Sequence, residues 1–210
     1  MHGGACMSEL LESLQFIYGP QIANGLAIGM AVVLMALGLT IIFGLLDVIN
    51  MSHGEFYALG AYLAVTLAGQ GVNFWFCLVL VPLLMAAIGY FTERTLIQRV
   101  FHSKDRHILT LLLTFGLAII TEDLFKLGYG PNPYKPESPI PGASELFGIM
   151  LPNYRVFLIV AGSCIIVAVW MLVYRTRLGA MVRAAAWDKH MAASLGVPVE
   201  RVYAGTFAFG

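Results

Sequence analysis

Asp47-Val48-Ile49-Asn50-Met51-Ser52-His53-Gly54-Glu55-Phe56 is a polar decapeptide set between two stretches that avoid water. Upstream lies the apolar run 22–46, and downstream a second apolar run extends from Phe56 to Gly69. The second run is too short to cross a bilayer, which takes about 20 residues at 1.5 Å each. Some of the polar residues are therefore expected at membrane depth. There an ionisable side chain costs roughly 2.5–3.5 kcal/mol and faces a bundle interior or a cavity. The alternative is a tight loop at the membrane surface. If the stretch is helical, Asp47, Asn50 and Gly54 share one face with His53 at its edge. A break at Gly54 fits equally well, its freed backbone groups lining a cavity or satisfied by neighbours such as Asn50 and Ser52.

The composition decides the class. Of 210 residues, 59% are hydrophobic and 11% charged, against about 25% charged in a soluble domain; the mean hydropathy is +0.81. This is an integral membrane protein. Its apolar runs approach helix-spanning length without the alternation of a membrane barrel, so the fold class is all-α, a polytopic transmembrane helix bundle. Twelve basic and twelve acidic residues cancel, leaving no global field to attract nucleic acid. Cys6, Cys77 and Cys164 are far apart and in no metal spacing, and read as small hydrophobes. Nothing resembles a cleaved signal peptide, and Met7 would serve as a start as well as Met1.

Residues 1–20 read as a tail and a short interfacial helix, with Leu10, Leu11, Leu14 and Ile17 on one stripe. The membrane domain, 21–210, is predicted to contain spans at about 22–46, 54–70, 74–92, 108–127 and 156–174, with another starting at 202. Gly25 and Gly29 in the first span and Gly60 in the second are placed for close helix packing, unless they are simply common membrane residues. The third span is expected to stop at Glu93-Arg94. In the fourth, Glu122 and Lys126 can pair at i, i+4. Residues 128–155 hold six of the nine prolines and read as an irregular loop outside the hydrocarbon. Basic stretches follow the third span (Arg94, Arg99, Lys104, Arg106) and the fifth (Arg175, Arg177, Arg183, Lys189, Arg201). The positive-inside rule puts both in the cytoplasm and the proline-rich loop outside. Within 175–201, an alanine-rich helix is predicted from Ala184 to Leu195, stopped by Gly196 and Pro198. It is too short to span, and suits either a partner's groove or the inner end of the bundle.

Two stretches carry a resemblance. Gly38-Leu-Thr-Ile-Ile-Phe-Gly44, continued through Ile49 to Phe56 and Leu59-Gly-Ala-Tyr62, resembles the signature of the LivH-like permease subunit of bacterial ABC importers for branched-chain amino acids. Thr176-Arg-Leu-Gly179 with Arg183 to Val197 is similar to the cytoplasmic coupling segment of the same family. Three positions depart from the family pattern: Ala180 stands where a basic residue is usual, Ile97-Gln98-Arg99 replaces a Tyr-Arg-Pro-like run, and Glu122-Asp123 replaces an uncharged pair. The resemblance implies a multi-pass inner-membrane permease working by alternating access with a second homologous permease subunit, two ATPase subunits and a periplasmic solute-binding protein. It implies no cofactor and no covalent chemistry on this chain. It assigns coupling to the ATPases to Arg183, Ala184, Ala186, Asp188, Met191, Ala192 and Gly196. It also implies further spans beyond residue 210, so that the chain is expected to be C-terminally incomplete.

On this reading Asn50, Ser52, His53 and Gly54 gate or line the translocation path, with Glu55 and Asp47 nearer its cytoplasmic mouth. Sister permeases for urea, amides or other amino acids share the motif and remain an alternative. A self-contained channel or secondary carrier, with the Asp47–Glu55 cluster binding an ion or proton, is the alternative from another class. His53 and Glu55 do not form a His-Glu-x-x-His zinc motif, and neither a nucleophile elbow nor a phosphate-binding loop occurs.

Overall fold

The computed structural model describes residues 3–46, 50–101, 105–130, 138–146 and 149–210. Where a backbone must cross hydrocarbon it has to satisfy its own N–H and C=O groups, and helices do so locally. Helix α1 covers Gly3–Leu46, α2 His53–Gly69 and α3 Phe74–Thr92. A π-helical turn, Glu93–Ile97, joins α3 to α4, Gln98–Phe101, and α5 covers Arg106–Tyr129. A hairpin of β1, Ala143–Leu146, and β2, Ile149–Pro152, precedes α6, Asn153–Arg175. Then come α7, Arg177–Trp187, α8, Lys189–Ser194, and α9, Val199–Phe209. Among the described residues, four stretches are long and apolar enough to cross a membrane: Tyr18–Gly44, Phe74–Val100, His107–Tyr129 and Asn153–Arg175. At most 17% of each is buried within the chain, so their apolar surfaces are turned outward.

The chain divides into two compact units, Met1–Leu34 with Glu137–Val169, and Met35–Pro136 with Trp170–Gly210. In the first, Gly162 is buried on α6, and a Cβ there would run into the Met30 side chain of α1. The missing side chain is what lets those two helices approach. Strands β1 and β2 pair antiparallel, Ser144 opposite Leu151. Asn153 ties the hairpin to α6: its amide donates to the Gly142 carbonyl (3.1 Å) and its Oδ1 accepts from Ser144 Oγ (2.6 Å). This hairpin lies where an irregular loop was expected.

In the second unit the core gathers Ile42 of α1, Ile97 of the π turn, Ala185 of α7, Ala192 of α8, and Tyr203 and Phe207 of α9. Phe56 of α2 meets Phe207 edge-on (6.3 Å, 88°). Gly38 of α1 touches the backbone of Gly210, and Gly89 of α3 faces the backbone of Phe207 and Ala208. Tyr62 of α2 stacks on Phe125 and Tyr129 of α5 at 4.8 and 4.3 Å. Lys126 pairs with Glu122 at 2.8 Å, the i, i+4 partner foreseen from the sequence.

Several elements differ from the sequence reading. Helix α1 runs unbroken across Gly19-Pro20, so the stretch read as an interfacial helix and the first span belong to one helix; proline removes one hydrogen bond but its fixed φ suits the helix. The third helix does not stop at Glu93-Arg94 but passes through the π turn to Phe101. The expected helix Ala184–Leu195 is two helices, α7 and α8, parted at Asp188. Asp188 is extended (φ −151°, ψ 106°), and its carboxylate accepts from the amides of His190 and Met191. A short polar side chain offers the backbone an alternative to the helical ladder, and here that alternative wins.

Candidate functional site

Between α1 and α2 the helix is interrupted, and the interruption is closed by side chains. Asn50 Oδ1 accepts from the Ser52 amide (3.1 Å) and the Ser52 hydroxyl (2.7 Å). The Met51 amide donates to Thr114 Oγ1 on α5 (3.1 Å), and that hydroxyl donates onward to the Leu111 carbonyl (3.1 Å). Asn50 and Ser52 are 4% and 1% exposed, and Thr110 and Thr114 are equally buried. A buried polar group left without a partner costs about 1–3 kcal/mol, and here Asn50 Oδ1, Ser52, the Met51 amide and Thr114 satisfy one another. Asn50 Nδ2 alone has no partner among the described residues.

His53, half-buried, opens α2 and reaches back to α1, where its Nε2 is 3.0 Å from the Met35 carbonyl. A carbonyl only accepts, so Nε2 carries the proton. Gly38 lies one turn below: a Cβ there would stand 3.3 Å from His53 Cε1 and inside the Gly210 carbonyl oxygen. Glu55 sits half-buried in the first turn of α2, where the helix dipole favours a carboxylate. Gly54 is exposed, and outside its own helix backbone no described atom lies within 4 Å of where a Cβ would stand. Asp47 lies outside the described residues. The structure therefore joins Asn50, Ser52 and His53 into one polar knot, adds Thr110 and Thr114, and leaves Gly54 apart. The two threonines were legible only as polar residues inside an apolar span.

Glu93 is a further buried polar residue that sequence reasoning passed over as a helix end. It is 2% exposed within the π turn, with Gln98 Nε2 donating to it at 3.4 Å. Its signal was an acidic residue embedded in a long apolar stretch, a rare and usually functional placement. Single π turns are themselves frequent at functional sites.

In the same unit, α7 and α8 form a bent pair. Thr176 caps α7, its hydroxyl accepting from the Gly179 amide (3.1 Å) and donating to the Leu172 carbonyl (2.6 Å). A Cβ on Gly179 would collide with the carbonyl oxygens of Leu172 and Val173. Arg183 donates to the Val173 carbonyl and lies 5.6 Å over the Tyr174 ring. Helix α8 ends in a Schellman turn: the Val197 amide donates to Ala192 O and the Gly196 amide to Ala193 O, with Gly196 at φ +83°. Arg183, Ala184, Ala186, Asp188, Met191 and Gly196 are exposed. Ala192 is not: it is 2% exposed, packed into the core of the unit, and so corrects its assignment to a partner-facing surface. Trp187, 92% exposed, and Leu195, 79% exposed, join Met191 as large apolar side chains open to contact. Trp187 was readable as an aromatic in a polar segment.

Of the three packing glycines, Gly60 has ordinary contacts in prospect, a Cβ there standing 3.5 Å from Met85 Cγ of α3. Around Gly25 and Gly29 no described atom lies within 4 Å of such a Cβ.

Apolar helices of spanning length with outward-facing surfaces make this a multi-pass membrane protein. The chain belongs to the branched-chain amino acid transport system permease component family, whose profile matches residues 21–210. It is 28% identical over 214 residues to the high-affinity branched-chain amino acid transport system permease protein LivH of Salmonella typhimurium, covering 94% of this chain and 68% of LivH. It is 27% identical over 224 residues to BraD of Pseudomonas aeruginosa, described in the same words, covering 97% and 69%. A shorter match, 39% over 62 residues, links it to LivM of Salmonella typhimurium, covering 29% of this chain and 15% of LivM. No solved structure matches.

Proposed function

We propose that this chain is one of the two permease subunits of an ATP-driven importer for branched-chain amino acids in the inner membrane. Its partners are a second, homologous permease subunit, two ATPase subunits and a periplasmic solute-binding protein. The observation that carries this reading is the match of residues 21–210 to the family profile, together with relatives whose names specify that solute class. The open apolar trio Trp187, Met191 and Leu195 on α7 and α8 fits contact with an ATPase groove, where a buried aromatic anchor dominates the binding energy.

Asn50, Ser52 and His53 fix and gate the junction of α1 with α2. Support comes from Asn50 Nδ2, which has no partner among the described residues. A desolvated donor costs about 1–3 kcal/mol, so a conformation that supplied it with an acceptor would be favoured by that amount. Such a bias suffices to shift an alternating-access equilibrium about 5- to 150-fold. In proteoliposomes containing all partner subunits, Asn50→Ala and His53→Ala are expected to abolish ATP-dependent leucine uptake while complex assembly and binding-protein docking persist. Uptake at the wild-type rate in both variants would refute the gating role; leucine uptake that needs no ATP would refute the importer.

A further inference from the structure

We propose that the cleft between α1, the end of α6, α7 and α9 is the seat of one anionic phospholipid. The cleft, about 300 Å³, is lined by Ile41, Leu172, Val182, Val202 and Phe209, with Arg201 on its wall. The last turns of α6 carry exposed Trp170 and Tyr174, the residue types that sit at the level of lipid headgroups. The cleft thus meets the membrane at its interface, apolar wall toward the hydrocarbon and arginine toward water.

Size and charge choose the occupant. The slot is lined almost wholly by apolar side chains, and an acyl chain is narrow enough to enter it. Arg201 forms no ion pair among the described residues, and neither do Arg175 and Arg177, which lie in sequence between the lining residues Val173 and Leu178. Unpaired arginines around an apolar slot match a phosphate head above an acyl tail, and basic pockets at the cytoplasmic ends of membrane helices bind anionic headgroups. Gly205, on the cleft wall, has no atom within 4 Å of where a Cβ would stand, so a larger side chain there fills the slot without displacing protein.

Native mass spectrometry of the purified full chain, titrated with phosphatidylglycerol or phosphatidylcholine, tests this. The wild type is expected to retain one phosphatidylglycerol in preference to phosphatidylcholine. Arg201→Ala should lower phosphatidylglycerol retention about fivefold, the effect of one basic residue at a membrane surface. Gly205→Leu should lower retention of both lipids. On the wild type, phosphatidylglycerol with a photoactivatable acyl chain is expected to label Leu172, Val182 or Val202. Equal retention of the two lipids by the wild type, or labelling confined to residues elsewhere, overturns the proposal. So does displacement of the lipid by excess inorganic phosphate, or cross-linking of a cysteine at 205 to a protein subunit in the assembled complex.

Discussion

At Asp188 the backbone leaves helical geometry, and the carboxylate takes up the amides of His190 and Met191 at 2.8 and 3.0 Å. Those two hydrogen bonds hold the carboxyl below its ordinary value of 3.8. A folded-state pKa below the unfolded one means that the ionised group stabilises α8. That contribution is complete above the unfolded value, about 3.9, and is lost as pH falls through the lower folded one. Amide exchange at His190 and Met191, corrected for intrinsic rates, should therefore lose protection as pH falls below about 3.9. Asp188→Asn keeps an acceptor oxygen but cannot titrate, and its protection should stay flat. An identical acid response in the asparagine variant would show that another group governs the turn. The residue was legible as a favourable charge near a helix start; its power to divide the helix was not. Five alanines between 184 and 193 weigh for continuity, and the capping geometry that overrides them is set by the fold.

Among the elements, the joint between α6 and α7 is where space is tightest. Gly179 abuts the last carbonyls of α6, so even one methyl group there must push the helices apart. Gly179→Ala is expected to cost about 1–3 kcal/mol, the usual range for overpacking, read as a fall in the unfolding midpoint in detergent. Gly205→Ala, in open space, is the control and should leave it unchanged or raised. Equal midpoints for the two variants would dismiss the joint as a constraint. The Schellman stop at Gly196 was readable locally, because a glycine and then Pro198 follow an alanine-rich run. The closure of the break at Asn50 was not, because the group that receives the Met51 amide is Thr114, 63 residues away. The π turn escaped for a similar reason: Glu93-Arg94 looks like a solvated helix end until Ile97 is seen buried in the core.

On the scale of the whole molecule, composition and apolar run length were enough to read an all-α membrane bundle, because hydrocarbon admits so few backbone solutions. They say less about the segments in water, where the hairpin at Ala143–Pro152 and the α7–α8 bend depend on specific turns. The span Asn153–Arg175 separates these two segments, which predicts that they face opposite sides of the membrane, the arginine-rich one inside. In inside-out vesicles, a cysteine at 187 should react with a membrane-impermeant maleimide and one at 144 should not; right-side-out vesicles should reverse the pattern. Reaction of both positions from one face would mean that α6 does not cross.

The crowding at Gly179 also has a mechanical meaning. The final carbonyls of α6 are engaged by the Thr176 hydroxyl and the Arg183 guanidinium, and the α7 backbone rests directly upon them. Little slack remains at that corner. Helix α7, 11 residues or about 16 Å long, has the exposed Trp187 at its far end. A push there is expected to reach α6 as torque, because the corner between them is tightly packed.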